Sequence, residues 1–506
     1  MTVLDSTKEH RSNRSLSPPT EVEESHAPST LAAIRSRLGQ LAAWLRVCGV
    51  ETIGITPVPE EDRTETRTYQ LFLFWFAANL NLSGLTYGAT GPVVFNLSLR
   101  DSVLVNLISN LIAAIFPAYL AIFGSKLGMR AMVQARYSWG TRAIGLPAIL
   151  NVVTSLGYIV LALIVGGQLL SAASPSGTLS PALGITAISL ISLAVCFFGY
   201  RWMHWFASLA WIPTVLGLLV MLGVSARDLA HALSSGAEEP PRVGTLFSYA
   251  ATVAAAIISW CPGAPDYCVY HRASSAKIFF YTYLGNFLPG VITGVLGAAF
   301  AAAAPNIPAW NTGYQAGNDL GGLVAATLQP VGGFGKVLIV SMALAITALT
   351  LPSMYSFGFS LMNVTPYFAR VPQYVYVVIA TILCIPLGIF GETHFYSVLV
   401  VGVDMSGYWS ASYAAIIIVE HLLFRRARFS CYPRQHWDDQ KHMPPGYAAT
   451  FAFVASFAAV VPCMAQDWYT GPVAKITGDV GVWAGFLAAA AAYGVGRSLE
   501  RRAFGR

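Results

Sequence analysis

Apolar runs long enough to cross a lipid bilayer recur along most of the chain, separated by short polar stretches. A membrane-spanning helix needs about 20 apolar residues. Hydropathy predicts twelve spans, at 71–97, 102–123, 144–171, 182–200, 204–224, 246–270, 278–303, 336–362, 372–390, 394–422, 447–465 and 480–497. An even number puts both termini on one side. Residues 1–45 differ: they are polar, rich in Ser, Glu and Pro, and lack an apolar core long enough for a signal peptide. They are expected to form a disordered cytosolic tail. The amphipathic stretch Leu31 to Val50 reads either as a helix on the membrane surface or as a short helical linker. The expected organisation is a tail over 1–67, a ten-span core over 68–430 with repeats at about 71–224 and 246–422, and two trailing spans with a cytosolic tail over 431–506.

Two spans are interrupted at matching places. Span 1 contains Asn79-Leu80-Asn81-Leu82-Ser83-Gly84, then Gly88, Gly91 and Pro92; span 6 contains Trp260-Cys261-Pro262-Gly263-Ala264-Pro265. Two prolines and a glycine in four residues cannot continue an α-helix. Backbone groups freed at membrane depth must line a cavity or be buried in protein. Broken helices in corresponding positions of two halves point to a transporter site, and a repeat of five spans makes the second half inverted. Simple proline kinks are the competing reading.

Composition supports this class. Of 506 residues, 55% are apolar and 11% charged, against about 25% charged in soluble domains, and the mean hydropathy is +0.58. An ordinary cytosolic enzyme, a disordered chain and a coiled coil are excluded. The net charge of +6 reflects Lys and Arg in loops rather than a nucleic-acid partner. With the N-terminus inside, 25 basic residues lie on the cytoplasmic side and five outside: Arg100, Arg227, Arg242, Lys336 and Lys475. The positive-inside rule therefore predicts cytoplasmic termini. The seven cysteines show neither zinc spacing nor a disulfide framework and read as small hydrophobes. No metal motif or phosphate loop stands out, and no cofactor is expected. Asn96-Leu97-Ser98 is a formal glycosylation signal near the outer mouth of span 1.

Several motifs carry a resemblance. Gly54-Ile55-Thr56-Pro57-Val58-Pro59 and Gly88-Ala89-Thr90-Gly91-Pro92-Val93-Val94-Phe95 open the series. Phe123-Gly124-Ser125-Lys126-Leu127-Gly128-Met129-Arg130, Gln134-Ala135-Arg136-Tyr137-Ser138-Trp139-Gly140 and Asp266-Tyr267 follow. Pro352-Ser353-Met354-Tyr355-Ser356, Gly407-Tyr408-Trp409 and Glu420-His421 complete it. In this order, over roughly residues 50–430, the chain resembles the fungal purine–cytosine permeases of the nucleobase–cation symporter family. The resemblance implies an all-α polytopic membrane protein with a LeuT-like 5+5 inverted repeat and twelve transmembrane helices. It also implies proton-coupled nucleobase uptake at the plasma membrane, with membrane lipids as surroundings and sodium the less favoured ion.

A nucleobase pocket needs a ring face to stack on and polar groups for the ring edge; stacking contributes about 1–3 kcal/mol. Trp260, at the break of span 6, matches the family's stacking tryptophan; a lipid-interface tryptophan is the alternative. Tyr158 sits where the resemblance places a second binding aromatic. Where relatives carry amides, this chain has Ala162, Leu349 and Thr350. The scaffold is thus kept while edge recognition changes, which opens the possibility of another flat ring such as vitamin B6. Ser83 and Thr350 are the remaining hydroxyl candidates. Ionisable groups within spans are functional hypotheses. Asp404 in span 10 and Asp266 after the break are the proton-coupling candidates, Asp266 also reading as a partner for exposed backbone amides. A channel, or an intramembrane enzyme using Asp266 with Asp404, are the other classes weighed against a secondary transporter.

Overall fold

The computed structural model describes residues 54–174, 178–197, 200–234, 242–315 and 319–505. The expectations for the tail upstream of residue 54, including the amphipathic stretch, lie outside the described residues. Span 1 is two helices, α1 (Thr68–Asn79) and α2 (Leu82–Val93), and span 2 is α3 (Leu99–Ala113) running into α4 (Ile115–Leu127). After α5 (Ala131–Ala143) come α6 (Gly145–Ala173), α7 (Pro181–Phe197) and α8 (Tyr200–Ser234), which are spans 3 to 5. The second half contains α9 (Val243–Ile258), α10 (Ser275–Ala303), α11 (Pro308–Tyr314), α12 (Leu320–Leu328), α13 (Gly333–Ala345) and α14 (Thr347–Met362). It closes with α15 (Gln373–Gly391) and α16 (Phe395–Val419), followed by α17 (Tyr447–Cys463) and α18 (Gly481–Phe504). Each of the twelve hydropathy segments falls on this helical framework. Among the described residues, six helical segments, including Gly145–Ala173 and Gly333–Met362, are long and apolar enough to cross a membrane. Hydropathy did not predict α5, the α11–α12 excursion or the two-stranded hairpin of β1 (Ala465–Gln466) and β2 (Tyr469–Thr470).

The packing repeats itself between halves. Span 1 packs on span 7 as span 6 packs on span 2; span 1 meets span 5 as span 6 meets span 10; spans 3 and 8 pack on each other. That swap of partners is the signature of a 5+5 repeat. Small residues permit the closest of these contacts. At Gly88 of α2, a Cβ would lie 2.1 Å from the Gly294 carbonyl oxygen of α10.

Residues 54–67, which composition assigns to the tail, are built into one end of the bundle. The Arg63 guanidinium donates to Val58 O at 3.1 and 3.0 Å, and to Ser125 O, Lys126 O and Leu127 O at 3.4, 3.2 and 2.9 Å. It thus satisfies carbonyls left open at the end of α4, where a cation also suits the helix dipole. Gly128 closes that helix at φ 68°, and Arg63 occupies the space a side chain there would need. Glu65 pairs by its backbone with Tyr270 and Arg272, and Ser125 Oγ donates to His271 O at 2.9 Å. Glu60, exposed, meets Arg434 at 2.5 Å, whose hydrogen bond and charge hold its carboxyl below the usual carboxylate range.

Candidate functional site

Both breaks open onto one cavity. In span 1, α1 stops at Asn79, and Asn81 takes an extended conformation and caps α2 by accepting from Gly84 N at 3.3 Å. In span 6, α9 stops at Ile258 and only a 3-10 turn, Ala264–Tyr267, follows before span 7, because Pro262, Gly263 and Pro265 leave no room for helical bonding. The cavity between them measures about 50 Å³, room for one or two waters, so a ring enters only when the walls part. Among the described residues, no Asp, Glu, Lys, Arg or His lines it.

Two aromatic rings face each other across this space. Tyr158 of α6 and Trp260 of the broken span lie with centroids 6.1 Å apart and planes 23° from parallel. A flat ring between them needs two van der Waals layers, about 7 Å, so a parting of roughly 1 Å converts the pair into a slot. Trp75 of α1 abuts Trp260 edge-on at 5.4 Å and 83°, which fixes its plane. The Tyr158 hydroxyl reaches Ala256 O at 3.4 Å.

The other sequence candidates lie elsewhere. Leu349 lines the cavity, whereas Thr350, the next residue on α14, donates to Ser192 Oγ at 2.8 Å and Thr347 O at 3.0 Å. Ser83 is buried, and its hydroxyl has no hydrogen-bond partner among the described residues; its neighbours Asn81 and Gly84 line the cavity. The Asp266 carboxylate accepts from Ala131 N at 2.6 Å, while Arg130 donates to the Asp266 backbone oxygen at 2.8 Å; it braces the start of α5 against the break. Asp404 is buried in α16 and accepts from Gln466 of the hairpin at 3.2 Å. The structure therefore brings Trp260 and Tyr158 together and leaves Ser83, Thr350, Asp266 and Asp404 outside the lining.

Sequence reasoning missed the polar wall of this cavity: Asn79 and Asn81 from the first break, Asn106 and Asn110 of α3, and Asn286 of α10. Its signal was available, since Asn106 and Asn110 stand one turn apart inside an apolar span. Elsewhere, His436, Asp439 and His442 bring ligand-type atoms within 4.8 Å of one another on a surface loop, a cluster the motif reading passed over.

Residues 57–485 match the family described as permease for cytosine/purines, uracil, thiamine, allantoin. The purine-cytosine permease fcyB of Emericella nidulans is 34% identical, covering 93% of this chain and 92% of that protein. The purine-cytosine permease FCY21 of Saccharomyces cerevisiae is 32% identical, covering 96% and 92%. The vitamin B6 transporter TPN1 of the same yeast is 28% identical over 100% of this chain and 96% of its own. Among solved structures, the closed, bromovinylhydantoin-bound form of Mhp1, a nucleobase-cation-symport-1 family transporter, superimposes with a TM-score of 0.69 at 16% identity, covering 89% and 96%. A Na+-coupled sialic acid symporter gives 0.60 at 13% identity, covering 92% and 97%; both share the fold. With its two broken spans, its swapped packing and this match over most of its length, the chain belongs to the cytosine/purine permease family and is a multi-pass membrane transporter, not an enzyme.

Proposed function

We propose that the protein imports a neutral, flat heterocyclic compound, a purine or cytosine-type nucleobase, by proton symport with alternating access. The observation that carries this reading is the near-parallel Tyr158–Trp260 pair across an uncharged cavity at two helix breaks. Vitamin B6 is the second reading. It is favoured by the apolar or small residues Ala162 and Leu349 at positions where the family resemblance implies amides, and by the full-length similarity to TPN1. Ser83, one residue from the lining Gly84, joins the pocket if the α1–α2 junction opens, whereas Thr350 is committed to Ser192. The ten-span core over 68–430 holds the slot, and 431–506 supplies the hairpin that reaches Asp404. An uptake screen in a transporter-deficient yeast, with labelled cytosine, adenine and pyridoxine, tests the proposal. Saturable uptake of a base is expected; uptake of pyridoxine alone selects the second reading, and uptake of none of them removes both.

The proposed location is the plasma membrane, with both termini cytoplasmic. Its support is the 25-to-five division of basic residues between the two sides. A cysteine placed after Phe504 is expected to resist a membrane-impermeant thiol reagent in intact cells and to react after permeabilisation. Labelling in intact cells would reverse the orientation.

A further inference from the structure

Two amide oxygens face the cavity with nothing to accept. Asn110 is 2% exposed. Its Nδ2 donates to Asn106 O at 2.8 Å and Asn106 Oδ1 at 2.9 Å. Asn79 Nδ2 donates to Trp75 O at 2.9 Å and Asn286 Oδ1 at 3.2 Å. In both residues the amide nitrogen is committed to a backbone carbonyl, which fixes the orientation of the group and turns Oδ1 away from that carbonyl. No hydrogen bond reaches either Oδ1 among the described residues, and both side chains line the cavity. The wall is held in place from behind. Asn286 Nδ2 donates to Thr282 O at 2.8 Å, and Asn106 Nδ2 to Gly290 O at 3.4 Å. Gly290 is what admits Asn110: a Cβ there would lie 2.0 Å from Asn110 Oδ1. Asn286 and Gly290 are four residues apart on α10, so the contacts that seat the two acceptors are about one helical turn, roughly 5–6 Å, apart.

We infer that this asparagine wall, on α1, α3 and α10, reads the hydrogen-bonding edge of the bound ring, with Asn79 and Asn110 accepting from N–H donors. The inference rests on the transport reading above and makes it specific. The amides absent at Ala162 and Leu349 are then supplied from α1, α3 and α10, so the ring presents its donors to those helices rather than to α6 and α14. The ligand class is a neutral heteroaromatic ring with N–H groups on one edge, as in an aminopyrimidine or aminopurine. A carboxylate or phosphate would set negative charge against two carbonyl-type oxygens, and among the described residues no cationic side chain lines the cavity to offset it.

The test uses the full chain in the transporter-deficient yeast, with tritiated cytosine as probe and 2-pyrimidinone, which lacks only the amino group, as competitor. In the wild type, 2-pyrimidinone is expected to compete about tenfold more weakly than unlabelled cytosine, since a buried acceptor is left unpaired. In Asn110→Ala and in Asn79→Ala, the KM for cytosine rises about tenfold and that preference falls to roughly twofold or less. The preference is a ratio, which a mere drop in folded protein does not move. Equal competition by the two compounds in the wild type overturns the inference, including where neither variant reaches the surface. So does an unchanged ratio in both variants. Replacing sodium by choline separates a cation site: sodium-dependent uptake in the wild type that Asn79→Ala abolishes would assign these oxygens to sodium and overturn it as well. Uptake of pyridoxine but not cytosine would remove the amino-edge inference while leaving transport standing. Absence of all uptake is the failure of the transport reading itself.

Discussion

Trp260→Ala is expected to abolish uptake while leaving the amount of protein at the cell surface within about twofold of wild type. The ring is one face of the proposed slot, and loss of a stacking face costs about 1–3 kcal/mol per ring, or a factor of roughly 5–150. The loss extends further, because Tyr158 then has no opposing plane and Trp75, though still edge-on to Tyr267, loses the ring it holds at the break. The backbone at this point is already non-helical, so truncation breaks no helical hydrogen bond. Trp260→Phe keeps a smaller face against Trp75 and is expected to retain part of the activity with a raised KM. Labelled-base uptake, normalised to surface fluorescence of a tagged protein, decides the matter. Normal uptake by Trp260→Ala would move the site elsewhere.

Asp404→Asn is expected to abolish accumulation against a gradient while sparing exchange at equilibrium. Asp404 is 2% exposed. One oxygen accepts from Gln466 Nε2 at 3.2 Å; the other has no hydrogen-bond partner among the described residues. Gln466 Nε2 also donates to the Tyr408 hydroxyl at 2.9 Å, and that hydroxyl donates to Asp479. Two carboxylates are thus joined through an amide and a phenol, with Asp467 of the same hairpin as the third acid nearby. Asp479 lies between the hairpin and α18. Burial pushes its carboxyl above the usual carboxylate range, against the opposing N–H groups of Ala465 and Gly481 and the Tyr408 hydroxyl. Asparagine at 404 keeps the acceptor for Gln466 and removes the proton-carrying group. If an acid in this network takes up the coupled proton from outside, wild-type uptake rises as external pH falls and collapses with a protonophore. The variant loses both dependences. Uptake indifferent to pH and protonophore in the wild type would exclude proton symport.

The framework was legible in the sequence because each feature is local. Apolar runs set the twelve spans, and Pro262, Gly263 and Pro265 end span 6 whatever surrounds them. The Asn79–Gly84 stretch likewise breaks span 1 through its own cap. Trp260 was legible for the same reason, as an aromatic residue attached to a break. The asparagine wall was not, since its support comes from Gly290, 180 positions away from Asn110. Thr350 illustrates a second limit. Rotation about a helix is about 100° per residue, and the α13–α14 junction at Ile346 resets the phase just before this point. Leu349 therefore turns to the cavity and Thr350 to Ser192. The α11–α12 excursion escaped because two short helices joining longer ones leave no twenty-residue apolar run.

The Arg63 clasp bears on where a moving part can be watched. Arg63, Glu65, Ser125 and Lys126 bind the approach to span 1, the end of span 2 and residues 270–273 into a single knot. Spectroscopic labels on the exposed positions Glu61 and Arg272 both sit on that knot, and their separation should hold through a transport cycle as an internal ruler. Gln435, also exposed, follows Arg434, which holds this segment to the knot through the surface pair with Glu60 and a hydrogen bond to Lys126 O at 2.6 Å; the surface pair is the one solvent competes with directly. A donor at Glu61 with an acceptor at Gln435 therefore reads the opening of this end of the bundle, and the Glu61–Arg272 pair calibrates it in the same molecule.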